Sequence, residues 1–285
     1  MTETTHVPTI TLNDGREIPQ LGFGVFQIPP EDTAAVTRQA LEIGYRHIDT
    51  AEMYRNEAGV GEAVRDSGLD RDEVWITSKL SNYFHQPDEI RSGFAETLRE
   101  LQTDHVDLFL IHWPLANREG SDFVVRWKVL EEFAADGRAR SIGVSNFQVA
   151  HLERLAAESD VVPAVNQIEL HPYLVNETVR SHDERHGIAT EAWSPIAQGA
   201  VLSDPVITEI AERVERSPAQ VVLRWHIQRG SIVFPKSVTP ERIRENFALF
   251  DFELTQADIE AITALDRGED GRTGFDPDAF TGPTD

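Results

Sequence analysis

The chain has no cysteine among its 285 residues. That absence excludes a disulfide framework, thiolate chemistry and any cysteine-based metal site. Lysine is almost missing too: Lys79, Lys128 and Lys236 are the whole complement, and the rest of the 26 basic residues are arginine. No apolar run approaches the roughly 20 residues of a membrane span. The opening MTETTHVPTI carries neither the basic nor the apolar region of a secretory leader, so a cytoplasmic location is expected. What the chain has in excess is acid. Against those 26 cations stand 49 Asp and Glu, a formal net charge of −23. Such a surface repels phosphate backbones and anionic headgroups, which argues against nucleic-acid and membrane roles. An anionic ligand would have to be met by a local basic pocket. Scarcity makes each lysine informative, because a compact, titratable ammonium differs chemically from a guanidinium. Lys128, in RWKVLEEF, reads as a solvated helix face. The acidity suits a salt-adapted or a GC-rich prokaryotic source alike.

Turn chemistry and periodicity then organise the chain. PTITLNDGREIPQ alternates around Asn13-Asp14-Gly15 and predicts a β-hairpin. Short β-rich runs follow, alternating with amphipathic helical segments: LGFGV, HIDTA, VWITSKL, VDLFLIH, RSIGVSN, AVNQIEL, IATEAWS and SIVFPKS. Ser217-Pro218 predicts a helix start, with a glycine to stop it at Gly230. Eight strand–helix units without linker or repeat predict one α/β domain over 1–285, a (β/α)8 TIM barrel with an N-terminal hairpin and extra helices or loops. Residues 267–285, acidic and glycine-rich, read as a tail or a loop over the active site. The rival doubly wound sheet needs G-x-G-x-x-G after its first strand; GFGVFQ lacks the third glycine, and Gly59 and Gly61 fall in a predicted helix.

In such a barrel catalytic groups sit at the C-terminal strand ends. Those ends carry Asp49, with Tyr54 in the next loop, then Lys79, then His112. A tyrosine with a pKa of about 10 is a poor acid at neutral pH. A neighbouring ammonium stabilises its phenolate, a carboxylate holds the ammonium, and a histidine can hydrogen-bond a substrate oxygen. Together the four predict a proton-donating site for a carbonyl, although each alone is weak. HDERH places His182 and His186 one helical turn apart, but with no third ligand evident it reads as a solvated face and not a metal site. His171 reads as structural.

GYRHIDTAEMYRNEAGVG, TSKL, LFLIHWP, IGVSNF, VNQIELHP, EAWSPIAQG and FPKSVTPERIRENF, in this order, resemble the aldo-keto reductases over nearly the whole chain. The nearest likeness is to the prokaryotic 2,5-diketo-D-gluconate reductase-like branch. The resemblance implies NADPH-dependent reduction of aldehydes or ketones, 2,5-diketo-D-gluconate and methylglyoxal among the possible substrates. Tyr54 would be the general acid, aided by Lys79 and Asp49, with His112 orienting the carbonyl. Phe26 and Trp113 would line the substrate pocket. It also implies that Ser145, Asn146 and Gln167 meet the nicotinamide carboxamide, that Trp193 stacks on its ring, and that Ser194 and Pro195 through Gln198 cover the pyrophosphate. Lys236, Ser237 and Arg242 would clamp the 2′-phosphate, with Glu245 and Asn246 near the adenine. Two departures stand out: Thr239 where relatives often carry arginine, which leaves some use of NADH open, and Ser81 where many have tryptophan. A monomer is implied as well. Two other readings remain, a Schiff-base lyase using Lys79 and a non-catalytic NADPH-binding sensor.

Overall fold

The computed structural model describes residues 7–282. Its hairpin pairs β1 (Thr9–Thr11) antiparallel to β2 (Glu17–Pro19), with Ile10 opposite Ile18 and Gly15 turning the chain at φ +85°. Eight strands then lie parallel in chain order. They are β3 (Phe23–Gly24), β4 (His47–Asp49), β5 (Trp75–Leu80), β6 (Val106–Ile111), β7 (Ala139–Ser145), β8 (Val165–Glu169), β9 (Ala189–Trp193) and β10 (Ile232–Val233). A parallel bridge between Leu21 and Val233, with Gly22 N–H donating to the Val233 carbonyl at 2.7 Å, joins the last strand to the first and closes the barrel. β3 and β10 are shorter than their sequence runs because Pro235 has no N–H to extend the ladder.

The intervening helices are α1 (Pro30–Ile43), α2 (Glu57–Asp66), α3 (Pro87–Glu100), α4 (Phe123–Ala135), α5 (Val149–Glu158), α6 (Glu177–Arg185), α7 (Pro205–Val214), α8 (Pro218–Gln228), α9 (Pro240–Phe247) and α10 (Gln256–Thr263). Five of them begin on proline, whose missing N–H costs nothing in a first turn. Ser217 Oγ caps α8 as expected, accepting from the Gln220 N–H. The glycines 59 and 61 lie inside α2. Lys128 is exposed on α4 and pairs with Glu131. No helix among the described residues is long and apolar enough to cross a membrane.

Strand alternation sorts the side chains. Trp75, Leu108, Leu110, Val165 and Ile232 face inward and pack with Leu12 and Ile18 of the hairpin, which plugs the floor of the barrel. Ile76, Phe109, Ile111 and Ile168 face outward into the larger core beneath the helices. Continuing the inward parity toward the mouth gives Thr77 and Lys79 on β5, His112 just past β6, Gln167 on β8 and Glu191 on β9. The apolar floor thus becomes a polar layer near the strand ends.

The expectation of a solvated HDERH face needs correction. His186 is exposed, but His182 and Asp183 are buried, with Asp183 accepting from Asn166 and Thr190. The face turns toward β8 and β9, and the two imidazoles stack at 4.1 Å. No cluster of three or more His, Asp or Glu among the described residues could hold a metal.

Candidate active site

Lys79 is fully buried near the end of β5, and its ammonium is gripped on three sides. It donates to both carboxylate oxygens of Asp49 and to the Thr50 carbonyl, each at 2.8 Å. Burial alone would strip the proton from Lys79, but the carboxylate of Asp49 outweighs it and raises the proton affinity. Tyr54 ends a single turn of tight helix, Glu52–Tyr54, and the chain leaves it through Arg55 at φ +56°. That turn presents the phenol ring with Lys79 Nζ 5.1 Å from its centroid. Asn56 braces the loop, accepting from Thr50 Oγ1 and donating to the carbonyls of Val25 and Ile28. Burial pushes the Tyr54 phenol up and Lys79 opposes it.

His112 stands edge-on to Tyr54, ring centroids 5.8 Å apart. Its backbone is fixed from both sides: Asn146 donates to the His112 carbonyl, and the buried Arg126 donates to the carbonyl of Trp113, both at 2.9 Å. Burial, then Lys79, then Arg126 hold its proton affinity well below the usual imidazole range. The ring is therefore neutral near pH 7, and with Nδ1 buried and unpartnered, Nε2 is the nitrogen left for a ligand. Asp49, Tyr54, Lys79 and His112 are brought together from the C-terminal ends of three consecutive strands, β4 with the turn after it, β5 and β6.

The residues expected around a nicotinamide form one connected web. Ser145 Oγ donates to the Gln167 carbonyl at 2.8 Å, and Asn146 Nδ2 donates to Ser145 Oγ at 3.1 Å. Trp193 Nε1 donates to Asn146 Oδ1 at 2.9 Å, which sets the indole plane at the mouth. Both ends of the Asn146 amide are thus engaged within the protein. Gln167 Nε2 reaches across the lumen to Asp49 Oδ2 at 2.9 Å. Beyond β9 the backbone is left-handed at Ser194, Ala197 and Gln198, as it is at Asn146, with φ of 47° to 64°. Non-glycine residues held there store strain, and they gather at the strand ends. The loop is tied down where His226 Nε2 meets the Pro195 carbonyl at 2.9 Å.

Lys236 and Arg242 are exposed, and among the described residues neither pairs with a carboxylate, on a protein where most arginines do. Ser237 is buried between them, and α9 starts at Pro240 just beyond. Glu245 and Asn246 are half-buried on the last turn of α9. On the other side of the mouth Phe26 is 54% exposed, its ring 4.9 Å from that of Tyr54. Trp113 is buried against Phe280 at 4.6 Å, and Phe280 stacks on Phe275 at 4.8 Å. Residues 268–282 therefore cross the open end of the barrel.

Residues 20–267 match the Aldo/keto reductase family. This chain belongs to it. The aldo-keto reductase is an oxidoreductase, 51% identical over 273 residues to an aldo-keto reductase of Mycolicibacterium smegmatis, spanning 96% of this chain and 98% of that one. It is 44% identical to the methylglyoxal reductase DkgA of Escherichia coli, over 96% and 98% of the chains, and 47% identical to the morphine 6-dehydrogenase of Pseudomonas putida, over 95% and 94%. A crystal structure of a Gox0644 variant in complex with NADPH superposes with a TM-score of 0.92 at 45% identity, covering 96% of this chain and 99% of that one.

Two carboxylates of this aldo-keto reductase lie in the site without having been singled out from sequence. Glu191 is buried on β9 beside Gln167, and Glu169 is buried at the end of β8. Glu169 receives Thr273 N–H and Thr273 Oγ1, each at 2.6 Å, Gly274 N–H at 3.0 Å and His171 Nε2 at 3.0 Å. The available signal was the inward parity: TEAW puts Glu191 two residues before Trp193, and QIE puts Glu169 two after Gln167. An acid on the inner face of a barrel strand cannot be a solvated charge.

Proposed function

We propose that this aldo-keto reductase reduces aldehydes and ketones with NADPH, Tyr54 supplying the proton. The observation that carries the reading is the Lys79 ammonium, buried, clamped by Asp49 at 2.8 Å and set 5.1 Å from the Tyr54 ring. The residues fit the cofactor. Lys236 and Arg242 are cations without carboxylate partners among the described residues, where an anion is needed, with Ser237 between them, and they suit a 2′-phosphate. Trp193 offers an oriented indole face, and Gln167, whose N–H groups point inward, offers its Oε1 to an amide. Ser194 and Pro195 through Gln198 suit the pyrophosphate, with Glu245 and Asn246 beside the adenine. When bound, NADPH supplies the hydride that reduces the carbonyl carbon.

The protein's own part is proton delivery and orientation. A neutral His112 donates from Nε2 to the carbonyl oxygen and points it at Tyr54. The Tyr54 hydroxyl transfers its proton to that oxygen as charge develops there, and the nearby Lys79 ammonium stabilises the phenolate left behind. Asp49 keeps the ammonium charged throughout. Phe26, Trp113 and the aromatic pair Phe275 and Phe280 exclude water from the reacting carbonyl. Alcohol oxidation with NADP runs through the same groups in reverse.

A Schiff-base role for Lys79 is disfavoured, because imine formation needs a neutral amine with a free lone pair and this one has three acceptors around it. Small dicarbonyls such as methylglyoxal, and sugar diketo acids, are the proposed substrate classes, acted on by a monomer whose residues 268–282 roof a single barrel. The test is NADPH oxidation against a panel of methylglyoxal, aromatic aldehydes, aldoses and 2,5-diketo-D-gluconate. Turnover in the wild type that falls at least about a thousandfold in Tyr54→Phe, with NADPH binding retained, is the expected result. Tight NADPH binding with no turnover on any carbonyl would favour the sensor instead.

A further inference from the structure

Gln167 Nε2 sits between two buried carboxylates. It donates one hydrogen to Asp49 Oδ2 at 2.9 Å and the other to Glu191 Oε2 at 2.8 Å. Gln167 and Glu191 are direct register partners on β8 and β9, and both are buried. The main chain of Gln167 is held as well, its carbonyl accepting from the Asn146 N–H at 2.9 Å and Ser145 Oγ at 2.8 Å. A hydrogen-bonded rod, Lys79–Asp49–Gln167–Glu191, thus spans the lumen. Turning the Gln167 amide over would set its oxygen against the Asp49 carboxylate and lose that bond, so the NH2 end is held inward and Oε1 outward. Asn146, the other amide at this mouth, already uses both of its ends on His112, Ser145 and Trp193.

We propose that Glu191 is a positioning residue: by taking the second hydrogen of Gln167 it fixes the amide plane, so that Oε1 reads the N–H of the cofactor's carboxamide. The inference rests on the NADPH reading above and assigns the cofactor's amide nitrogen to one acceptor. Glu191 itself touches no reacting atom. Its Oε1 is buried with no hydrogen-bond partner among the described residues, so the bond from Gln167 to Oε2 is the side chain's one polar contact there. Burial, together with the neighbouring charge of Asp49, raises its pKa to about 8, so near neutral pH it accepts from Gln167 without adding a second negative charge beside Asp49.

Quenching of tryptophan fluorescence tests this through binding alone. Dissociation constants are measured for NADPH and for its reduced 3-acetylpyridine analogue, which keeps the carbonyl but replaces the carboxamide NH2 by a methyl. Wild type is expected to prefer NADPH by about tenfold, the usual scale of one directed hydrogen bond at a buried site. Glu191→Leu should bring that ratio to within about threefold, mainly by weakening NADPH, whereas Glu191→Gln, which retains an oxygen acceptor, should keep the wild-type ratio. A ratio unchanged in Glu191→Leu would overturn the proposal. If Glu191→Leu fails to give a cooperative melt, Glu191→Ala is read in its place with the same criterion. Failure of wild type to bind either dinucleotide would instead overturn the cofactor reading itself, a separate outcome.

Discussion

At the residue scale the arrangement around Lys79 explains why a lineage so poor in lysine keeps one here. A guanidinium has no compact charge to fit under a phenol while donating to a carboxylate and a main-chain carbonyl on its other sides. Lys79→Met removes the charge but nearly preserves the volume, and leaves Asp49 buried without its cation. kcat should fall by about a hundredfold or more, whereas the dissociation constant for NADPH, whose proposed contacts are elsewhere, should change by less than about threefold. Equal losses in both would show that Lys79 supports the cofactor and not the proton. His112 illustrates the complementary point. LFLIHWP ends on a histidine because the inward parity of β6 runs Leu108, Leu110, His112, so the same alternation that fills the floor of the barrel delivers an imidazole to its mouth.

Among the elements, α9 and the segment 268–282 carry most of the proposed recognition. The loop from β10 and the first turn of α9 place Lys236, Ser237 and Arg242 on one short stretch, with no carboxylate partner for either cation among the described residues, so a phosphate bound there would meet uncompensated charge. Arg242→Ala should raise KM for NADPH by about tenfold or more and leave KM for NADH within about twofold. Comparable changes for both dinucleotides would remove the 2′-phosphate from this loop. Across the mouth, Glu169 is the anchor of the terminal segment, and Gly274 is required beside it. A Cβ at Gly274 would come within 2.4 Å of Trp193 Cη2 and 3.1 Å of Glu169. Farther on, Asn117 donates to the Asp278 carbonyl and Arg118 to that of Thr281, so the segment is pinned at both ends. Glu169→Ala leaves two N–H groups and a hydroxyl without their acceptor. Cleavage by protease after residue 267 should then appear at low temperature, where wild type resists; equal resistance would mean that the other contacts suffice.

Over the whole molecule, burial of acids gives stability a definite pH dependence. Burial raises the pKa of Glu57 to about 7 and that of Asp183 to about 8, both above the ordinary carboxylate range, as with Glu191. Each group binds its proton more tightly folded than unfolded. The stability tied to that proton is complete below the unfolded value, near pH 4, and is lost as pH rises through 7 to 8. Net charge of −23 adds repulsion in the same direction. The melting temperature should therefore fall between pH 6 and 9, and Asp183→Asn, which keeps an acceptor for Asn166 and cannot ionise, should fall less steeply. Parallel curves for the two proteins would show that Asp183 is not the group responsible. Added salt should raise the whole curve by screening the surface acids.

The barrel, its hairpin and the placement of Asp49, Tyr54, Lys79 and His112 at one end of it were legible in the chain itself, because each follows from local rules. Asn13-Asp14-Gly15 makes a turn, proline starts a helix, and period-two alternation carries a strand-end side chain inward wherever the strand is parallel and buried on both faces. The resemblance supplied the proposed cofactor contacts, motif by motif. Neither could show that Gln167 spans the lumen to Asp49, that Glu191 completes the rod, that HDERH turns half inward, or that Glu169 holds residues 272–274. Those contacts join residues from 17 to 118 positions apart, or 104 in the case of the anchor. Sequence determined which side chains point into the barrel; only closure of the sheet decided which of them meet, because strands far apart in the chain become neighbours across a lumen a few side chains wide.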